Sequence, residues 1–235
     1  MPVPMKARKS MASYKASRKV TPYIRANHTV RRYIPAAIGR GLNRRGQANK
    51  ESGFVDLAAT TYAMNTTGSV TLVATIAQGA SVNQRVGKKV NLKSIQVRGV
   101  CQADTTTALA NSAWMLVYDR RPTGALPAIT DVLTAANASA FTNDANTGRF
   151  KIIRRWQKAI IGNLGTAGQA TDSSAETVDM YIDMKNLPCI FKAAGTGAIG
   201  DIEEGAVYLI TVGDTAAGSA DANAVLGFRT RFIDN

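Results

Sequence analysis

Three segments of the chain alternate apolar and polar residues with a period of two. They are residues 70–76, 178–184 and 226–232, in which nearly every second residue is Val, Leu, Ile, Met, Phe or Ala. Successive side chains of a β-strand point to opposite faces of its sheet, so this period is typical of a strand with one buried face. Each segment is therefore predicted to be a half-buried strand.

Five further segments are predicted to be strands on different grounds. Residues 113–118 (AWMLVY) and 206–212 (AVYLITV) are apolar at nearly every position but too short for long helices. This pattern predicts central strands that are covered on both faces. Weaker strand patterns cover 54–63, 90–101 and 149–161. In the last two the apolar phase slips by one residue, which predicts a β-bulge.

The order of these segments favours an all-β fold. Loops rich in Gly, Ala, Asn, Asp, Ser and Thr are predicted over 162–174 and 213–223, and a single helix over 127–137, with Pro127 in its first turn. Eight strands without regularly interposed helices favour a single antiparallel β-sandwich over a βαβ fold.

The charge of the chain is concentrated at one end. Residues 1–50 contain 13 of the 29 Lys and Arg residues and none of the 16 Asp and Glu residues, although the chain as a whole carries +13. A block of like charge repels itself and cannot bury a core. We therefore predict a disordered basic arm over 1–50 and a folded domain over 51–235, and expect the arm to bind nucleic acid.

The predicted nucleic-acid-binding residues are the cations of this arm. They are Lys6, Arg8, Lys9, Lys15, Arg18, Lys19, Arg25, Arg31, Arg32, Arg40, Arg44, Arg45 and Lys50. Six residues of the folded part are candidate secondary contacts to nucleic acid or to another subunit, with a solvated strand face as an equally good interpretation. These six are Arg85, Lys88, Lys89, Arg154, Arg155 and Trp156. An indole such as that of Trp156 is able to stack on bases.

The sequence offers little for catalysis, for a cofactor or for a membrane. His28 is the only histidine and lies in the arm, and the glycine-rich stretch 195–200 is followed by a strand pattern instead of the helix that a dinucleotide needs. We therefore expect no catalytic site, cofactor or metal. Cys101 and Cys189 lie in apolar surroundings and are predicted to be reduced, packed thiols. No run of 18 apolar residues occurs, so no membrane insertion is expected.

Five segments, taken in order, carry a family resemblance. They read QGASVNQRVGKKVNLKSIQVRG (78–99), WMLVYDRRPTGALPAITDVL (114–133), GRFKIIRRW (148–156), GDIEEGAVYLITVGD (200–214) and LGFRTRFID (226–234). Together they resemble the capsid proteins of circular Rep-encoding single-stranded DNA viruses, the group that includes circoviruses and geminivirus-like relatives.

The resemblance implies a structure, partners and a location. It implies an eight-stranded jelly roll, a small icosahedral T=1 shell of sixty copies, and an arm that binds the single-stranded DNA genome and serves as a nuclear localisation signal read by host import factors. The protein is then expected in the virion and, during assembly, in the host nucleus. Two alternatives stay open: a jelly-roll coat protein of an RNA virus, because phosphate contacts do not separate DNA from RNA, and a nucleic-acid-binding β-domain that does not assemble.

Overall fold

The computed structural model describes residues 52–103, 109–161, 175–193, 195–218 and 222–234. The predicted arm and the predicted loop over 162–174 lie outside these residues, so both stay predictions.

The described residues form nine β-strands in two antiparallel sheets. Sheet A consists, in spatial order, of β1 (Ser52–Met64), β9 (Ala222–Asp234), β3 (Lys89–Ala103), β6 (Ala175–Phe191) and β7 (Ile202–Glu204). Sheet B consists of β2 (Ser69–Leu72), β8 (Ala206–Gly213), β4 (Ala110–Asp119) and β5 (Phe150–Ile160). All eight predicted strands are present, but the one predicted over 70–76 ends at Leu72. The three-residue β7 was not predicted, and it extends sheet A beside β6.

The pairing of the strands is that of a jelly roll. Strand β1 pairs with β9, β2 with β8, β3 with β6 and β4 with β5, and every pair is antiparallel. Apart from the short β7, each strand of the first half thus pairs with its counterpart from the second half. One long hairpin folded over into two sheets gives this arrangement, which is the jelly-roll topology. The predicted jelly roll is confirmed, with one short strand added.

Sheet B is covered on both faces. The Tyr118 hydroxyl donates to the Pro188 carbonyl of sheet A (2.7 Å), so the odd-numbered residues of β4 point away from sheet A. Met115 and Val117 nevertheless have no exposed surface. The reason is the segment between β4 and β5, residues 120–149, which folds back and buries its own apolar residues on this outer face. The prediction that β4 and β8 are central strands buried on both faces is therefore confirmed.

The helix within this segment is shorter than predicted. α1 spans only Ile129–Val132, and Pro127 precedes it. It ends because Leu133 adopts an extended conformation and forms a β-bridge with Thr142, after which the Thr134 amide donates to the Phe141 carbonyl. The prediction of a helix over 127–137 was therefore wrong, since extended pairing takes the backbone groups that a longer helix needs.

The two predicted bulges are present. The register of β3 shifts between Leu92 and Ser94 against both of its neighbours, β6 and β9. In β5, Ile153 has no partner, because Leu116 pairs with Arg154 and Val117 pairs with Ile152. Each bulge lies where the apolar phase slips in the sequence, so the hydrophobic face stays on the core despite the extra residue.

The two cysteines are packed as predicted. Cys101 and Cys189 are both buried, and neither forms a disulfide. Burial raises the pKa of the Cys101 thiol to about 12 and also raises the pKa of the Cys189 thiol. Both side chains therefore behave as small apolar groups of the core.

A glycine fixes the close approach of the two sheets next to β8. Gly205 has a φ of +80°, and a Cβ at this position would lie 2.0 Å from the Pro188 carbonyl oxygen and 2.8 Å from the Tyr118 hydroxyl. We expect Gly205→Ala to lower the free energy of unfolding by about 3 kcal/mol or more, because the left-handed backbone and the collision both cost energy. Chemical denaturation of unassembled protein measures the loss.

Gly124 supplies the matched control for this prediction. Its φ is +84°, but a Cβ there would meet nothing within 4 Å. Gly124→Ala is therefore expected to lose only the backbone contribution, about 1–2 kcal/mol. Equal losses in Gly205→Ala and Gly124→Ala would contradict the role assigned to the contact with Pro188.

Candidate nucleic-acid interface

The folded domain begins at the edge of sheet A. The first residue of β1, Ser52, pairs with Ile233 of β9, and Ile233 pairs in turn with Asn91 of β3. Close by, the Phe54 amide donates to the Val82 carbonyl (3.2 Å) in the segment between β2 and β3. The chain that precedes residue 52 therefore joins the domain at the end of sheet A where β3 begins.

Two of the candidate secondary contacts lie at this same end and are exposed. Lys89 is the first residue of β3, and Lys88 directly precedes it. The Lys88 carbonyl accepts a hydrogen bond from the Phe191 amide (2.8 Å), which places the exposed Lys192 beside them. The Lys192 ammonium donates to the Gly200 carbonyl (2.6 Å). Sequence reasoning missed Lys192, because only strand pairing brings it next to a residue about 100 positions away.

Arg85 is buried, which rules out the predicted contact with nucleic acid or with another subunit. Its guanidinium has no exposed surface and stacks on the Phe191 ring, 4.3 Å from the centroid. It donates to the carbonyls of Gly87 (2.8 Å) and Lys192 (3.2 Å), and burial lowers its pKa. Arg85 therefore ties the segment before β3 to the end of β6, and a polyanion has no access to it in this fold.

Arg155 and Trp156 are also structural. The Arg155 guanidinium donates to the carbonyls of Ala138 and Ala140, which holds the 120–149 segment against sheet B. Trp156 is only 8% exposed and stacks on Trp114 with the ring centroids 6.3 Å apart. Both side chains are thus engaged by neighbours in the fold, and their contact with nucleic acid or with another subunit stays a prediction.

Arg154, the remaining candidate, is exposed on β5. Strand β5 is an edge strand of sheet B, and Lys158 farther along it pairs with Glu176 of β6 (2.7 Å). A role of Arg154 in binding stays a prediction.

The outer face of sheet A carries a row of polar side chains. The register places Asp56, Arg229, Gln96 and Tyr181 side by side across β1, β9, β3 and β6. Arg229 donates from Nε and Nη2 to the two oxygens of Asp56 (2.7 and 2.6 Å), and this hydrogen bonding lowers the pKa of the Asp56 carboxyl. Unlike the buried outer face of sheet B, this face bears charged side chains that are exposed to solvent.

Two features are not found among the described residues: a cluster of metal ligands and a membrane-spanning helix. Within them, no group of three His, Cys, Asp or Glu side chains is arranged to hold a metal ion. Over the same ranges, no helix has both the length and the apolar character needed to cross a membrane.

The sequence matches a protein family over nearly its whole length. The model of the Geminivirus coat protein/nuclear export factor BR1 family matches residues 3–235. The capsid protein of Miscanthus streak virus (isolate 91) is 26% identical over 161 residues, which cover 61% of this chain and 63% of that protein. The coat protein of Maize white line mosaic Satellite virus is 34% identical over 94 residues, which cover 38% of this chain and 43% of that protein. The chain thus spans less than two thirds of either relative.

Among solved structures, the fold is similar to that of Desmodium yellow mottle tymovirus. The two chains are 10% identical, the match covers 77% of this chain and 80% of the other, and the TM-score is 0.32. The jelly-roll assignment rests on the strand order and not on this likeness.

Proposed function

This chain belongs to the Geminivirus coat protein/nuclear export factor BR1 family, and we propose that it is a viral coat protein that assembles into a small icosahedral shell and packages single-stranded DNA through its basic arm. The family match confirms the resemblance to geminivirus-like capsid proteins that the sequence motifs indicate. The chain is then a structural protein and not an enzyme.

The observation that carries the proposal is the division of charge between arm and domain. All of the net charge of +13 belongs to residues 1–50, and the remaining residues hold equal numbers of cations and acids. A neutral domain avoids the repulsion that would oppose close packing of many copies, while a cationic arm neutralises a polyanion. The arm is therefore assigned to the genome and the jelly roll to contacts between subunits.

The arm acts through counterion release. With sixty copies the arms supply about 780 positive charges, and each neutralises about one phosphate while displacing a condensed counterion. Such binding is tolerant of sequence and weakens steeply with salt. On the folded domain, the exposed Lys88, Lys89 and Lys192 add a cationic patch at the end of sheet A where β3 begins.

The jelly roll also offers apolar contact points for neighbouring copies. Phe141 is 81% exposed on the segment that covers sheet B, and Leu126 of the same segment, together with Val82 and Val86 before β3, is also exposed. Exposed large apolar side chains of this kind are common at contacts between subunits.

The clusters Arg31–Arg32 and Arg44–Arg45 suit recognition by host import factors, which would bring the protein to the nucleus before it enters virions.

The family description also names a nuclear export factor, so a second candidate function is a nucleic-acid-binding protein that moves genomes between compartments without forming a shell. The two functions differ in whether the protein assembles.

Negative-stain electron microscopy of the full-length protein tests the proposal, with nuclease-protected nucleic acid measured in the same samples. We expect spherical particles of uniform diameter that protect nucleic acid, and digestion of the extracted material by DNase and not by RNase. Light scattering that shows only monomers across the tested range of salt and pH would overturn the assignment as a coat protein. Nucleic acid that is digested by RNase would show that the packaged genome is RNA and not DNA.

A further inference from the structure

A groove of about 270 Å³ crosses the outer face of sheet A. Its floor is Gly227 of β9, which lies directly opposite Arg98 of β3 in the register. Arg98 and Arg229 form two of its walls. Any side chain at position 227 would occupy this space, so the groove exists because β9 has a glycine at an outward-facing position.

The two arginines of the groove are oriented by carboxylates. Asp56 holds Arg229 through two hydrogen bonds, and Asp179 accepts from Arg98 Nε (3.3 Å). The side chains of both pairs are about half exposed or more, and ion pairs with such exposure are weak. A guanidinium has five N–H donors, and the two pairs leave donors of each arginine for a further anion. The carboxylates thus orient both guanidinium groups, and a bound phosphate would take the donors that remain.

An exposed aromatic ring completes the row. Tyr181 of β6 is 64% exposed and lies beside Gln96, two strand spacings or roughly 10 Å from Arg229. On the other side of Arg229, Phe54 is 36% exposed, and the guanidinium stacks 4.9 Å from its ring centroid. Arginines next to exposed aromatic rings are an arrangement found where proteins bind unpaired nucleotides: the guanidinium groups contact phosphates and the rings stack on bases.

The groove also lies near the start of β1. Asp56 follows Ser52 by four residues, so the groove lies about 13 Å along the strand from Ser52.

We propose that this groove is a second nucleic-acid site, in which Arg98 and Arg229 hold one phosphate of a single strand and Tyr181 stacks on a nearby unpaired base. The inference rests on the proposed function, because it takes the packaged genome as the occupant. It assigns to the folded domain a preference for single strands that the charge of the arm alone does not provide.

Binding of fluorescent oligonucleotides to the full-length protein tests the site. Three probes of equal length are compared: oligothymidylate, the same backbone without bases, and a duplex. Tyr181→Ala is expected to weaken binding of oligothymidylate about fivefold or more and to leave the other two probes unchanged, since they offer no free base to stack. Tyr181→Phe keeps the ring and is expected to bind like the unchanged protein.

The phosphate part of the site is tested by a double substitution. Arg98→Gln with Arg229→Gln is expected to weaken binding of both single-stranded probes and to reduce the salt dependence by one to two charges. Arg121→Gln removes an exposed arginine from the segment between β4 and β5 and serves as the control, with a smaller effect expected. Circular dichroism checks that each variant is folded.

Two results would overturn the site. One is an equal loss for Tyr181→Ala on the probe without bases. The other is an Arg121→Gln variant that loses as much affinity per charge removed as the double variant. Neither depends on assembly, so a failure of the groove is distinguishable from a failure of the coat function, which light scattering and microscopy report.

Discussion

Deleting residues 1–45 is expected to lower the nucleic acid protected per particle at least tenfold, while particles still form. The deletion removes 12 of the 13 arm cations and none of the acids. Each cation lost removes about one phosphate contact and the release of its counterion. The affinity for nucleic acid therefore falls by a further factor with each cation removed. The ratio of absorbance at 260 nm to that at 280 nm in purified, nuclease-treated particles measures the effect.

A charge-conserving variant provides the control for this deletion. Replacing every arginine of the arm by lysine keeps its charge and is expected to keep most of the packaging, because neutralisation of phosphates depends mainly on charge. In the unaltered protein, an increase in salt from 50 to 200 mM is expected to weaken binding by about 10³-fold or more, if six or more phosphates are contacted. Undiminished packaging after the deletion would refute the role of the arm.

Replacing Asp119 by alanine is expected to cost about 3 kcal/mol of folding free energy, the largest loss from any single charge in the domain. The Asp119 carboxylate is fully buried and accepts hydrogen bonds from Arg149 Nε (3.0 Å) and Nη2 (2.9 Å) and from the Arg121 amide (2.9 Å). The bonds between Asp119 and Arg149 raise the pKa of the Arg149 guanidinium. Together with the bond from the Arg121 amide, they anchor both ends of the segment that covers sheet B. Urea denaturation of unassembled protein gives the free energy.

Glu176→Gln is the matched control. Glu176 also pairs with a cation, Lys158, at 2.7 Å, but both side chains are more than a third exposed. The loss is expected to stay below about 1 kcal/mol, because solvent screens such a pair. If Asp119→Ala lost no more than Glu176→Gln, burial would not be what makes the Asp119 pair important.

The strands and their bulges follow from local pattern. Burial of one face gives alternation and burial of both faces gives a short apolar run, so local sequence is sufficient to predict the eight main strands and the slips near Leu92 and Ile153. The length of α1 does not follow, because a tertiary feature, the bridge between Leu133 and Thr142, overrides a local helical pattern. Topology came from the family resemblance, and the strand order confirms it.

The candidate site residues show why charge alone does not predict whether a side chain is buried or exposed. Arg85 and Lys88 are three positions apart in one basic stretch, yet the first is buried against Phe191 and the second is exposed. Backbone carbonyls supplied by the end of β6 decide the difference, and no local pattern reports them. The row that contains Arg229 and Tyr181 was missed for the same reason, since its members come from four strands far apart in the sequence.

The pairing of β1 with β9 also orders events during synthesis. About 160 residues separate the two strands, so at ordinary translation rates β1 waits roughly 10 to 30 s for its partner. The hairpin of β4 and β5 is complete long before, and sheet A closes last. The arm leaves the ribosome first and is joined to the strand that is integrated late. Its cations are therefore available to nucleic acid before the domain has a finished surface with which to bind another copy.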